Sequence, residues 1–216
     1  MATLMEKLRE RIGFKVSGLV GDTLKFEDSR TGEITRMIRI EGFGKTFTVD
    51  AEDDEELTRF KELNGSLIRA SGILGRRRSA AAATAKVTKL ILPGDKEWSE
   101  PKDDEIVKGG TFNGVGIITE RKFSEYRGQT YRSMQLGSIG ETFLFRDIDP
   151  VIFERIPESG PVTVSGKLDT KVVGTANGLV SDLIFSLEDV KPVLMDEPKP
   201  ARPAPPGIDL GDKKPA

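Results

Sequence analysis

The sequence predicts an all-β protein with a few short helices, built from two similar five-stranded units in tandem. Two observations lead to this prediction. Apolar and polar residues alternate along several short segments, which is typical of half-buried strands. The second half of the chain also repeats the first at an offset of 96 residues, with strands and one short helix in the same order.

The repeat is clearest where residues 31–50 are set above residues 127–146 without a gap. Identical residue types then coincide at places where strands begin, turn and pack. The matching positions are Gly18 with Gly114, Gly32 with Gly128, Arg36 with Arg132, Gly44 with Gly140, Thr46 with Thr142, Phe47 with Phe143 and, after a two-residue deletion, Gly72 with Gly166. We interpret the chain as a duplicated domain.

Each copy is predicted to contain three strands, one short helix and two further strands. In the first copy EITRMIRI alternates as a strand does, and KTFTV places Phe47 and Val49 on one side. The acidic run at residues 50–65 then spaces three apolar residues by three, and its carboxylates suit the positive end of a helix dipole. Phe143 and Phe145 match Phe47 and Val49, so all four are assigned to the core.

The copies have predicted boundaries at residues 13–93 and 108–195, joined by a charged, proline-containing linker at residues 94–107. Residues 1–12 space apolar side chains by four, which indicates an amphipathic helix that packs on the first unit or on a second protomer of a homo-oligomer. Residues 196–216 hold six of the twelve prolines and are expected to be disordered.

This element order, with a fourth strand of the form xVxGxL followed by a hairpin loop, resembles the OB-fold, the five-stranded Greek-key barrel. The resemblance is architectural and covers both copies, so it implies two OB-fold-like barrels in tandem. It also implies binding of single-stranded nucleic acid across strands two and three, flanked by the loops that join strands one to two and four to five.

Composition excludes most catalytic sites. The chain of 216 residues has neither Cys nor His, which excludes disulfides, thiolate nucleophiles, imidazole bases and most zinc, copper or haem sites. No GxxxxGK[ST] phosphate-binding loop occurs. The carboxylates of Glu52, Asp53 and Asp54 diverge at a helix start rather than converge on one ion. We therefore expect no enzyme activity, no cofactor and no metal.

Three adjacent arginines stand out in a chain whose net charge is only −2. If SLIRASGIL is the fourth strand and AKVTKLIL the fifth, Arg76, Arg77 and Arg78 lie in the loop between them. The resemblance places that loop over the ligand, where guanidinium groups would contact a phosphate backbone. Arg39, on the second strand, is predicted to bind nucleic acid as well. The alternative is a hairpin tip that charge keeps solvated.

The second copy interleaves basic and aromatic residues around a glycine-containing turn, which suits base stacking combined with phosphate contact. The predicted binding residues there are Arg121, Lys122, Tyr126, Arg127, Tyr131 and Arg132. If Met134 and Leu136 face the core, Tyr131 faces outward. Phe123 is assigned to the core, at the place of Phe26 in the first copy. The alternative is that the tyrosines only pair across strands.

These patterns together predict non-catalytic binding of single-stranded nucleic acid, DNA rather than RNA, as in DNA replication and repair. No apolar run reaches the roughly 18 residues of a membrane span, so we expect a cytoplasmic protein without a membrane partner. The GIDLGD segment of the tail resembles the acidic tip with which bacterial single-stranded DNA-binding proteins recruit partners, although this tail ends in KKPA. Two alternatives stay open: an adaptor whose barrels contact other proteins, and an accessory domain pair for a nuclease or polymerase.

Overall fold

The computed structural model describes residues 6, 11–27, 32–42, 45–76, 83–107, 110–175 and 178–193. Within these ranges the chain forms ten strands and three short helices. The strands are β1 (Gly13–Glu27), β2 (Ile34–Gly42), β3 (Lys45–Asp50), β4 (Leu67–Arg76), β5 (Ala83–Ile91), β6 (Gly110–Tyr126), β7 (Gln129–Ser138), β8 (Glu141–Phe145), β9 (Gly160–Thr175) and β10 (Gly178–Pro192). The helices are α1 (Asp54–Glu62), α2 (Asp103–Val107) and α3 (Pro150–Arg155).

The first five strands, which we call the first unit, close into a barrel. Strand β1 pairs with β2, β2 with β3, and β4 with both β5 and β1, all antiparallel. A short parallel contact between β3 and β5, at Asp50 and Lys86, completes the ring. This is the pairing order of an OB-fold, so the all-β class and a five-stranded barrel are confirmed.

Alternation along the strands places the core as predicted. Phe47 and Val49 on β3 are 2% and 0% exposed, and Phe143 and Phe145 on β8 are 2% and 0% exposed. Helix α1 adds Phe60 from the first unit, which is 1% exposed. Helices α1 and α3 both begin at an aspartate, Asp53 and Asp149, whose carboxylate accepts a hydrogen bond from a backbone N–H of the first turn.

Strands β6 to β10, the second unit, pair in the same sequence around β6. Strand β6 contacts β7 and β9, β7 contacts β8, and β9 contacts β10. Within the described residues no ladder joins β8 to β10, so the two edges that would close a second barrel are not hydrogen-bonded to each other. The second barrel and the domain boundaries therefore stay predictions.

One glycine on the fourth strand of each unit allows a close crossing. A Cβ atom at Gly72 would lie 1.9 Å from the carbonyl oxygen of Lys86 and 2.8 Å from the ring of Phe14. A Cβ atom at Gly166 would likewise lie 2.1 Å from the carbonyl oxygen of Ser186 and 2.9 Å from the ring of Phe112. The two glycines therefore have the same environment, because each allows an aromatic ring of the first strand of its unit to pack across it.

The ungapped alignment of the two copies was wrong in the first strand of each unit, where it matched Gly18 with Gly114. Gly18 pairs with Ile68, which lies four residues before Gly72. The matching position of the second unit is Val162, four residues before Gly166. Val162 pairs with Gly116 and not with Gly114. The physical reason is the connection between the first two strands, which is two residues shorter in the second unit. Glu27 pairs with Ile34 in the first unit, with six residues between them, and the matching pair of the second unit, Glu125 with Thr130, has four residues between them.

The two units are joined by backbone pairing. Residues 13–15 of β1 pair antiparallel with residues 111–113 of β6, and Phe14 faces Phe112 at the centre. On β3, the backbone N–H of Thr48 donates to the side-chain oxygen of Thr170 at 3.0 Å. Buried residues of both units form one continuous core. The predicted N-terminal helix lies outside the described residues except for residues 6, 11 and 12, and the predicted disordered tail lies wholly outside them.

Candidate nucleic-acid interface

Residues 120–135, which we call the aromatic hairpin, contain most of the predicted binding residues of the second unit. The hairpin joins β6 to β7 through a two-residue turn at Arg127 and Gly128. Their φ angles are 52° and 76°, the geometry of a type I′ turn, which matches the natural twist of two paired strands. Tyr126 pairs with Gln129 beside the turn, so the turn fixes which face each side chain occupies.

The two faces of the aromatic hairpin differ in composition. The face that continues the barrel core carries Arg121, Phe123, Arg132 and Met134. The opposite face carries Lys122, Ser124, Tyr126, Gln129, Tyr131 and Ser133. Met134 and Leu136 are 1% and 0% exposed, as predicted, and Tyr131 consequently lies on the outward face. The predicted residues are therefore brought to one hairpin but divided between its two sides.

Three aromatic rings of this hairpin are exposed. Tyr126 is 60% exposed, Phe123 is 55% exposed and Tyr131 is 39% exposed, with its hydroxyl donating to the Oε1 atom of Gln129 at 2.7 Å. The assignment of Phe123 to the core was wrong. Strands β6 and β7 run beyond the last buried position of the barrel, so a core-side residue near the turn has no core to enter.

Two arginines lie over these rings. The guanidinium carbon of Arg127 is 5.1 Å from the ring centroid of Tyr126, and that of Arg132 is 5.6 Å from the centroid of Phe123. Cation–π contacts at exposed sites stabilise a pair by about 0.5–1 kcal/mol, which holds a flexible arginine near a ring without immobilising it. Each pair therefore presents a planar apolar surface beside a positive charge, and exposed Lys122 adds a third cation.

Arg121 differs from the other predicted cations because its side chain is bound within the protein. Its Nη1 atom lies 2.7 Å from the carboxylate of Glu158, and its Nη2 atom donates to the carbonyl oxygen of Phe153 at 3.1 Å. The guanidinium also stacks on the Phe153 ring at 4.1 Å, and its side chain is only 17% exposed. These contacts attach helix α3 to β6, a structural role that leaves little of the group accessible.

The first unit uses the matching hairpin positions differently. Lys25 faces Arg36 across β1 and β2, as Phe123 faces Arg132 in the second unit. Both cations of the first unit bind Asp54, at 2.8 Å and 2.7 Å. Hydrogen bonds from Arg36 and Lys25 lower the pKa of Asp54 to about 2. An alignment with a gap in the connection between the first two strands would have matched Phe123 with Lys25 instead of Phe26. Because Lys25 is exposed, that alignment would have predicted an exposed Phe123.

The predicted cations of the first unit are placed only in part. Arg39 is half-buried on β2, opposite Thr48 of β3, on the face turned away from the barrel core. Arg76 was expected in the loop after the fourth strand, but it is the last residue of β4 and pairs with Ala83, because the β4–β5 ladder extends past Gly75. Arg77 and Arg78 lie outside the described residues, as does the side chain of Arg76.

The acidic segment before α1 forms a helix start. Asp53 caps the helix, Asp54 binds Lys25 and Arg36, and Glu52 pairs with Lys86 at 2.7 Å. Across the part of the chain that the structure describes, no three His, Cys, Asp or Glu side chains are grouped so that they could hold a metal ion. None of the described helices is long and apolar enough to cross a membrane.

Comparisons with known proteins support the fold. No protein-family model matches the sequence, and no curated protein matches it. Among solved structures, the chain is similar to the wild-type single-stranded DNA-binding protein of Thermus aquaticus. The TM-score is 0.54 at 9% identity, over 88% of this chain and 96% of that one.

A deletion variant of the same Thermus aquaticus protein matches with a TM-score of 0.51 at 10% identity, over 88% of this chain and 98% of that one. At such low identity the likeness concerns the fold alone. It confirms the OB-fold resemblance, and it extends over both units because the superposed part exceeds either unit by itself.

Proposed function

We propose that this protein binds single-stranded nucleic acid without catalysing a reaction on it, and that the aromatic hairpin is a principal contact. The observation that carries the proposal is the set of exposed rings at Phe123, Tyr126 and Tyr131, two of them paired with arginines. Rings of this size are normally buried, and a soluble surface has no structural need to expose them together. Tyr126 and Tyr131 share the outward face of the hairpin and Phe123 lies on the other face, and stacking with bases gives these exposed rings a use.

The chemistry of the hairpin favours a single strand. Base faces are covered by their neighbours in a duplex, whereas the unpaired bases of a single strand can stack on Tyr126 and Tyr131. Arg127 and Lys122 would contact the phosphates that flank those bases. Stacking accepts every base because each has a π-face, so we expect little sequence preference. Preference for DNA over RNA is part of the proposal.

We extend the interface to the first unit through Arg39 and the loop arginines Arg76, Arg77 and Arg78. In OB-folds the second and third strands and the β4–β5 loop border one ligand groove. Strand β9 pairs with β6 and β10 in the second unit, as β4 pairs with β1 and β5 in the first. We therefore also propose that the second unit is a second OB-fold-like barrel. Likeness to a protein described as single-stranded DNA-binding supports both proposals.

The test is fluorescence anisotropy with a labelled oligothymidine, repeated from low to physiological salt. Each phosphate neutralised on a single strand contributes about 0.7 to the slope of log affinity against log salt, so we expect a slope of several such increments. Unlabelled duplex of the same length should compete poorly, and an oligouridine should compete less well than the oligothymidine. A slope near zero with weak binding would favour the adaptor function and contradict ours.

A further inference from the structure

A second cationic site lies away from the aromatic hairpin. A cavity of about 570 Å³ is bordered by strands β1, β4 and β5 of the first unit and by the start of the second unit. Lys15 and Ser17 reach it from β1, Arg69 and Ser71 from β4, and Thr111 from β6. Glu105 of helix α2 forms its other side. The cavity therefore lies at the place where the two units and their linker meet.

The cavity is lined by three cations, two of which pair with carboxylates. Lys15, Arg69 and Lys89 line it together with the carboxylate of Glu105, and Lys89 forms an ion pair with Glu97 outside the lining. Arg69 binds Glu105 at 2.7 Å through Nη2, but its Nε atom is buried and has no hydrogen-bond partner. Within the described residues Lys15 has no ion pair. Lys15 is therefore a lining cation that can pair with an anion bound in the cavity.

The barrel does not itself require these three cations. The second unit has the same strand pairings, so each position has a structural counterpart. Lys15 pairs with Ser71 in the first unit, and Asn113 pairs with Ser165 at the matching place in the second, so Asn113 is the counterpart of Lys15. By the same comparison Thr163 is the counterpart of Arg69. Lys89, opposite Ser71, corresponds to Asp189, opposite Ser165. The second unit thus folds with two neutral residues and an aspartate where the first has three cations.

We propose that this cavity binds the phosphate group of a nucleotide. Lys15 donates to phosphate oxygens, and the hydroxyls of Ser17 and Ser71 add neutral donors. Ile91, also in the lining, offers an apolar contact for a base or sugar. A volume of this size accommodates one nucleotide, since small-ligand pockets span roughly 300–1,000 Å³. The phosphate belongs either to a free nucleotide or to the strand bound elsewhere on the protein.

The test is a titration of the whole chain with thymidine 5′-monophosphate, followed by amide chemical shifts in nitrogen-15 NMR spectra. We expect saturable shifts at Ser17, Ser71 and Thr111, and none with thymidine, which lacks the phosphate. The variant Lys15→Gln should weaken binding by about tenfold, because it loses one charge-assisted hydrogen bond. Lys61→Gln, the same change at an exposed position of α1 outside the cavity, should leave the affinity unchanged.

Two results would overturn the proposal: no saturable shift at the three amides, or an affinity that Lys15→Gln does not alter. A second titration in the presence of oligothymidine identifies the source of the phosphate. If the oligonucleotide produces the same shifts and displaces the mononucleotide, the strand supplies it; if the mononucleotide still saturates the cavity, a free nucleotide does. This inference does not depend on the proposed function, because loss of oligonucleotide binding at the hairpin would leave the mononucleotide shifts unaffected.

Discussion

Replacing Tyr126 with Ala separates base stacking from folding in the aromatic hairpin. The ring is 60% exposed, so truncation removes little packing, and we expect the free energy of unfolding to change by no more than about 0.5 kcal/mol. Loss of a stacking ring typically costs about 1–3 kcal/mol in affinity for a single strand. Arg127 already lies 5.1 Å from this ring, and displacing it costs about 0.5–1 kcal/mol.

The expected net loss is therefore about 0.5–2 kcal/mol, or roughly 2- to 30-fold in the dissociation constant. Anisotropy with labelled oligothymidine measures the loss, and urea denaturation measures stability. Tyr126→Phe is the matched control, since it keeps the ring and should bind within about twofold of the wild type. The slope of log affinity against log salt should stay unchanged, because no phosphate contact is removed. Wild-type affinity in Tyr126→Ala, at unchanged stability, would refute the stacking argument.

Three further predictions concern charge and packing. Changing Arg76, Arg77 and Arg78 together to Ala should lower the salt slope by about 2 for every oligonucleotide sequence, as anisotropy over a salt series would show; an unaltered slope would move the phosphate contacts to the hairpin. Asp54 has its pKa lowered to about 2, so its ion pairs stabilise the fold above the unfolded pKa near 3.9 and lose that contribution as the pH falls towards 2. Carbon-13 NMR titration of the carboxyl group checks this, and a midpoint near 4 would contradict it. Gly72→Ala should destabilise by about 1–3 kcal/mol in urea denaturation, because its Cβ would lie 1.9 Å from a carbonyl oxygen; Gly75→Ala on the same strand meets only an atom at 3.8 Å and serves as the control.

The strands and the core were predictable because a half-buried strand alternates apolar and polar residues along the sequence. Alternation placed Phe47, Val49 and Phe143 correctly, and the repeat located the paired glycines of the fourth strands. Phe123 was misplaced because periodicity reports which side of a strand a residue occupies and not where along the strand the core ends. The positions of Arg77 and Arg78 stay predictions, since they fall outside the described residues.

The cationic cavity could not be predicted from the sequence. Its residues come from β1, β4, β5, α2 and β6, and they become neighbours only through the closure of the first barrel and the pairing of the two units. Lys15, Arg69 and Lys89 are each an ordinary outward-facing residue of an alternating strand. Arg121 shows the converse: its place among aromatic residues suggested binding, while its contacts with Glu158 and Phe153 give it a structural role.

The pairing of β1 with β6 has a symmetry that bears on the origin of the molecule. Gly13 pairs with Asn113, and Lys15 pairs with Thr111. Each residue of β1 matches the residue 98 positions later in β6, so Gly13 matches Thr111 and Lys15 matches Asn113. Exchanging the two units therefore converts the first pair into the second. Such a contact is isologous: the same strand segment supplies both halves, as in a twofold homodimer. If the chain is a duplicated domain, as the sequence repeat predicts, this segment is the place where two copies of the single unit would associate. The symmetry is one of backbone pairing and not of side chains, because the first unit has Lys15, Arg69 and Lys89 where the second has Asn113, Thr163 and Asp189.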